Sequence, residues 1–263
     1  MHQELFHFSL PVFLSNLFGV EQVVIYSYAF FIVFGAVIAT VYTKRMAQKV
    51  LDSKELPNTF FYLIFVAGFV GGKLFYYLEK PGYYLSNPNL LFHNFSGGFV
   101  FYGSFVTIIP VTILYLKRKH IPVLPMLDIF AFTTIIVHAF GRIGCFLGGC
   151  CYGKPTHSSF GIIFPSSNQV KVHPTQLYEV ILLVTLFIFL LFVKSRKNFD
   201  GQLFLLYISL YAGCRYFLEF LRGDDRGYII KEYLSHSQFI GLLIILTSIL
   251  IYKTINTKHL NKL

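Results

Sequence analysis

The segment His138–Thr156, HAFGRIGCFLGGCCYGKPT, sets a histidine, an arginine and three cysteines into a chain that is otherwise largely apolar. At helical spacing His138 and Arg142 stand four residues apart and Cys145 three further on, so the three share one face. An arginine in such a place suits phosphate, because its planar fork donates paired hydrogen bonds and keeps its charge when partly buried. A second stretch, RYFLEFLRGDDRG, puts Arg215, Glu219 and Arg222 on one polar stripe. Gly141, Gly144 and Gly148 leave a strip beside Arg142 where another helix or a lipid headgroup can approach the backbone closely. Two guanidinium-bearing segments thus point to an anionic headgroup as ligand.

The elements that must carry these groups are membrane helices. Hydrophobic residues make up 55% of the 263-residue chain and charged ones only 13%, which excludes an ordinary water-soluble domain. Apolar stretches long enough to cross the hydrocarbon run over Val23–Tyr42, Phe60–Leu78, Phe95–Leu116, Leu124–Leu147, Thr175–Val193, Leu203–Leu221 and Ser237–Tyr252. The expected fold is therefore an all-α integral membrane protein of seven transmembrane helices, one domain over residues 1–263, with residues 1–22 an interfacial N-terminal segment. Those first residues lack the basic start and small-residue cleavage site of a signal peptide. Basic residues concentrate at 44–54, 117–119, 194–197 and 253–262, and they outnumber those of the alternate loops. Lys and Arg stay on the cytoplasmic side, so the C-terminus is expected in the cytoplasm and the N-terminus outside. The net charge of +10 is then a matter of topology and membrane lipids, with no nucleic acid implied.

Lys73, Asp128, Arg142, Glu179, Arg215 and Glu219 all fall inside predicted spans. A charge facing lipid there costs about 2.5–3.5 kcal/mol, so these groups must face the bundle interior or an interface. For Lys73 and Asp128, near helix ends, internal pairing is the expected role. Arg142, Arg215 and Glu219 read as functional because of what surrounds them.

At these residues the sequence resembles the prolipoprotein diacylglyceryl transferases of bacterial membranes. The resemblance runs through YSYAFFIVFG, GGKLFYYL, SGGFVFYGSF, GRIGCF to CYGKPT, HPTQLYE and RYFLEFLRGDD, in the family's order. It implies an enzyme of the bacterial cytoplasmic (inner) membrane with its active site toward the outer face. The implied reaction moves the diacylglyceryl group of phosphatidylglycerol to the lipobox cysteine thiol of a prolipoprotein and releases glycerol phosphate, without a cofactor. Carried over by motif, Arg142 and Arg215 serve the headgroup and the transition state, while Tyr28, Gly153, Glu219 and Arg222 support substrate binding. The thiol titrates at about 8.5 when free, so it must lose a proton or be held as thiolate before it attacks carbon.

Two departures fall inside the motifs. The glycine-rich block carries Tyr102 where the family usually has histidine; tyrosine titrates at about 10 and is a better hydrogen-bond donor than base. His138, one turn before Arg142, could supply the base instead, or could be a neutral histidine bonded within the bundle. The other departure is Cys145 with Cys150 and Cys151 in the signature. Zinc, a disulfide, or small buried thiols in a glycine-rich turn are the readings; adjacent cysteines at this spacing make awkward metal ligands, so no metal is expected. These departures keep two alternatives open, namely a related transferase with another lipid donor or thiol acceptor, and a lipid-binding or transport protein without chemistry. His173, followed by proline in HPTQLYE, is expected to dock a loop or cap a helix.

Overall fold

The computed structural model describes residues 4–9, 22–51, 55–78, 81–86, 100–223, 228–230 and 234–260. The chain divides into two units, a smaller one over Lys44–Met126 and a larger one formed by the rest. The helices are α1 (Ser27–Val50), α2 (Asn58–Leu78), α3 (Pro81–Ser86), α4 (Phe101–Arg118), α5 (Val123–Leu147), α6 (Thr175–Lys194), α7 (Gln202–Leu218) and α8 (His236–Leu260). Three two-stranded antiparallel pieces accompany them: β1 (Glu4–Ser9) with β2 (Gln22–Tyr26), β3 (Ile162–Ile163) with β4 (Lys171–Val172), and β5 (Tyr228–Ile230) with β6 (Leu234–Ser235).

Six helices among the described residues are long and apolar enough to cross a membrane: α1, α2, α5, α6, α7 extended to Leu221, and α8 as far as Ile255. This is a multi-pass, mostly helical membrane protein. Much of their apolar surface faces outward, as with Val33, Ile181, Phe192 and Leu250, which suits acyl chains as the surrounding solvent. The first span differs from expectation at its start, because Val23–Tyr26 is strand β2 paired with β1, and α1 runs on to Val50. The third predicted span, Phe95–Leu116, corresponds to α4, which is not among the six. It has 18 residues, contains Pro110, and ends in Lys117 and Arg118. The interfacial reading of residues 1–22 rests largely on residues outside those described, β1 and the start of β2 excepted.

In the larger unit the core lies between α5, α6 and α7. Ala131, Phe132 and Ile135 meet Leu183, Leu186, Leu190, Leu203 and Tyr207, all nearly or fully buried. Helix α1 packs on α5 through Gly35, where a side chain would collide with Phe140 Cβ, and through Gly144, whose missing side chain admits the Tyr28 backbone. The Thr43 and Thr133 hydroxyls, 2.7 Å apart, join the same two helices further along.

Asp128 explains how α7 is anchored. Gly201 stands before the helix at φ 90° with no side-chain cap of its own. Asp128 of α5 supplies the cap instead: its Oδ1 accepts from the Leu203 and Phe204 amides at 2.9 and 3.3 Å, and its Oδ2 lies 2.9 Å from Lys197 Nζ. The orphan donors of a helix start are thereby satisfied from a neighbouring helix.

In the smaller unit α2 and α4 cross at Gly71 and Gly103, where the backbones approach too closely for any side chain. Ser104 Oγ donates to the Gly68 carbonyl at 2.6 Å and Thr107 Oγ1 to the Ala67 carbonyl at 2.8 Å. Lys73 is buried, with its ammonium 5.8 Å from the Tyr76 ring centroid.

Candidate functional site

The face shared by His138 and Arg142 meets Glu179 of α6. Glu179 is 1% exposed, a carboxylate sunk in an apolar helix, and three groups converge on it. His138 Nε2 stands 3.1 Å from Oε1, Arg142 Nε stands 2.9 Å from Oε2, and Tyr211 of α7 donates its hydroxyl to Oε1 at 2.6 Å. Tyr211 Oη also lies 3.4 Å from His138 Nε2. The Arg142 Nε contact is close but off the hydrogen-bond direction, so it is an ion contact and leaves that N–H unspent. A carboxylate this buried is stable as an anion only when paired and hydrogen-bonded, and here both oxygens are occupied. In the sequence Glu179 stands out only as a costly charge, and Tyr211 does not stand out at all. A stronger signal for Glu179 is nonetheless present, since HPTQLYE places the one carboxylate of the helix just before residues 180–193, which are aliphatic or aromatic apart from Thr185.

Arg215 sits on α7 four residues beyond Tyr211, on the same face and about 6 Å further along the axis. Its Nη1 contacts Glu219 Oε2 at 2.5 Å, and Ser237 of α8 donates to Glu219 Oε1 at 2.6 Å. The side chain is 12% exposed, yet neither Nη1 nor Nη2 has a hydrogen-bond partner among the described residues. Buried guanidinium donors are normally satisfied, so this one is short of an acceptor. Both arginines expected at the site therefore have a carboxylate neighbour, and Arg215 retains Nη2 beyond it.

After α7 the chain tightens into a 3-10 turn, Glu219–Leu221, and emerges extended at Arg222. Arg222 is buried and bridges to Gly153 in antiparallel fashion. A Cβ at Gly153 would strike the Leu221 carbonyl oxygen, and would meet Thr175 Cγ2 at 2.8 Å and His173 Cβ at 2.9 Å. Glycine is thus required where three segments touch. Gly153 donates its amide to the His173 carbonyl at 2.8 Å and Lys154 donates to the Leu221 carbonyl at 2.8 Å. His173 accordingly docks the loop, with its Nδ1 3.3 Å from the Tyr178 hydroxyl.

The loop after α5 turns back through two left-handed residues, Gly149 at φ 69° and Cys151 at φ 65°. Gln176 donates to the Cys150 carbonyl at 2.6 Å and Thr175 to the Cys151 carbonyl at 3.0 Å, so the first turn of α6 braces the reversal. The sulfurs of Cys145, Cys150 and Cys151 end within 4.8 Å of one another, all as free thiols. Cys145 is buried, whereas Cys150 is exposed, which departs from the expectation of small buried thiols. In the loop, hydrogen bonds from Cys145 and Cys150 draw the Cys151 thiol below its usual range, and Arg222 and Arg142 add attraction against the effect of burial.

Tyr28 opens α1 against Gly144 and Gly148, and with Tyr26, Ala29, Gly148 and Cys150 it lines an open cavity of about 440 Å³. Tyr102 belongs to the first turn of α4; its side chain lies outside the described residues.

The profile of the family described as prolipoprotein diacylglyceryl transferase matches residues 15–254. A Clostridium perfringens (strain 13) protein named phosphatidylglycerol–prolipoprotein diacylglyceryl transferase 2 is 36% identical over 249 residues, covering 92% of this chain and 94% of that protein. A Clostridium tetani protein with the same name, without the number, is 35% identical over 243 residues, covering 91% and 95%. One from Clostridioides difficile is 28% identical over 94% of this chain and 96% of its own length.

Proposed function

The chain belongs to the prolipoprotein diacylglyceryl transferase family, and from that membership we propose how its own residues carry the reaction. The protein is a transferase that moves the diacylglyceryl group of phosphatidylglycerol to a prolipoprotein. The acceptor is the thiol of a lipobox cysteine. Its sulfur attacks the glyceryl carbon as the bond from that carbon to the phosphate oxygen breaks, glycerol phosphate departs, and the thiol proton passes to a base. The enzyme works in the bacterial inner membrane, with seven spans and a site open toward the outer leaflet. No cofactor enters these steps.

Arg142 and Arg215 receive the phosphate. The observation that carries this assignment is the buried Arg215 guanidinium, whose Nη1 meets only the Glu219 carboxylate and whose Nη2 has no hydrogen-bond partner among the described residues, one helical turn from the Tyr211–Glu179–Arg142 cluster. Donors preorganised in a water-poor site stabilise the charge that gathers on the leaving phosphate far better than bulk water would. Each arginine is balanced by one carboxylate, which holds the fork in place without satisfying it. Glu219 positions Arg215, and Arg222, Tyr28 and Gly153 shape the approach for the headgroup.

His138 takes the thiol proton. With Glu179 accepting at Oε1, the imidazole is held as the tautomer protonated on Nε2, which leaves Nδ1 as the acceptor. Glu179 itself is engaged on both oxygens and acts by orientation. A tyrosine at position 102 is chemically suited to donate a hydrogen bond rather than to act as the base.

The test is transfer from labelled phosphatidylglycerol to a lipobox peptide by the purified protein. Arg142→Ala and Arg215→Ala are each expected to lower the rate by about 100-fold or more, with both variants still monodisperse in detergent. Near-wild-type turnover in both removes the assignment.

A further inference from the structure

We infer that Cys145, Cys150 and Cys151 form a binding site for a thiophilic closed-shell cation of the Zn2+ class. Their three sulfurs lie within 4.8 Å of one another. A tetrahedral zinc with sulfur ligands at about 2.3 Å spaces them about 3.8 Å apart, so each sulfur need move by only about half an ångström.

Spacing in sequence argues against such a site, since adjacent cysteines normally diverge. The fold overcomes this by placing Cys151 at φ 65°, a conformation that costs a residue with a Cβ about 1–2 kcal/mol and persists only where the surroundings enforce it. The enforcement is visible: Gln176 and Thr175 hold the carbonyls of Cys150 and Cys151, and the Cys150 amide donates back to the Cys145 carbonyl at 3.1 Å. Cys145 projects from the last turns of α5, so a helix and a braced turn supply the ligands. The exposure of Cys150 gives the cation a path of entry and leaves the fourth coordination position to water. Neither His138, engaged with Glu179, nor His157 joins the sulfurs.

The experiment uses the full chain in detergent, reduced and freed of metal, titrated with Co2+ and then Zn2+ in the absence of lipid and peptide. Expected are one equivalent of Co2+ per chain, a thiolate-to-cobalt charge-transfer absorption, and displacement of that signal by Zn2+. Cys145→Ser, Cys150→Ser and Cys151→Ser should each weaken binding at least tenfold, and Cys214→Ser should bind as the wild type does. Cys150→Ser alters an exposed side chain, which guards against loss of fold as the explanation. Absence of binding by the wild type overturns the proposal. So does unchanged affinity in the three variants, or differential alkylation showing two of the three cysteines joined as a disulfide in freshly extracted protein. The readout requires no transfer activity, so its failure is separate from failure of the reaction assigned above.

Discussion

At the scale of single residues, the site depends on how a buried negative charge is divided. Glu179 holds His138, Arg142 and Tyr211 at once, so changing its charge should disturb catalysis through its neighbours while leaving their positions nearly intact. Glu179→Gln keeps size and one acceptor oxygen but turns the other position into a donor, which faces the arginine wrongly. A drop in rate of about 100-fold is expected, against about tenfold for Tyr211→Phe, which removes one charge-assisted hydrogen bond. Arg142→Lys should not restore the alanine variant, because a point charge cannot reproduce the planar fork. Steady-state transfer assays on the four proteins check the order, and equal losses for Glu179→Gln and Tyr211→Phe would contradict it. The arginines could be picked out in the sequence because a guanidinium inside an apolar span is costly unless it is paired or faces the bundle interior. Tyr211 was not, since one tyrosine among many aromatics carries no mark until Glu179 is found beneath its hydroxyl.

At the scale of elements, the helices could be read almost to the residue where apolar runs end in charge or glycine, as with α5 and α6. The start of the first span could not, because Val23–Tyr26 is as apolar in a paired strand as in a helix, and hydrophobicity alone does not separate the two. Nor does any local signal reveal that α7 is capped from α5. Asp128 lies far away in sequence, yet it accepts from Leu203 and Phe204 and holds Lys197. Asp128→Ala leaves two helix-start amides and a lysine without that acceptor, and a loss of about 1–3 kcal/mol in stability is expected. Asp128→Asn keeps the acceptor and should cost less. Thermal unfolding in detergent measures both, and equal costs would argue that charge alone matters. Lys197 adds a pH dependence. Burial acts to lower its pKa, but hydrogen bonds to Asp200 and Asp128 outweigh it and hold the ammonium above its ordinary value. A raised folded-state pKa stabilises fully below the unfolded value of about 10.4 and ceases to do so as pH rises through the folded value. The wild type should therefore lose thermal stability above about pH 10.4, and Lys197→Met should lack that part of the decline.

At the scale of the whole molecule, the number of crossings rests on α4. Its 18 residues span about 27 Å, slightly short of the roughly 30 Å hydrocarbon, a mismatch that local thinning or flanking residues can absorb. The two cases differ in where they put the basic loops. If α4 crosses, the basic groups at 44–54, 117–119, 194–197 and 253–262 all share the cytoplasmic side, and the loop bearing Cys150 faces out. If α4 does not cross, the segment with Lys44, Arg45 and Lys49 moves to the outer side, against the rule that retains short basic loops in the cytoplasm. Single cysteines in an otherwise cysteine-free chain distinguish these cases by labelling intact cells with a membrane-impermeant maleimide. Lys154→Cys should react from outside, while Arg196→Cys and Lys49→Cys should react only after permeabilisation. Labelling of Lys49→Cys in intact cells would leave six crossings and bring the N-terminus inside. Labelling of Arg196→Cys would reverse α6 and turn the arginine site toward the cytoplasm, where the acceptor thiol of an exported protein would not meet it.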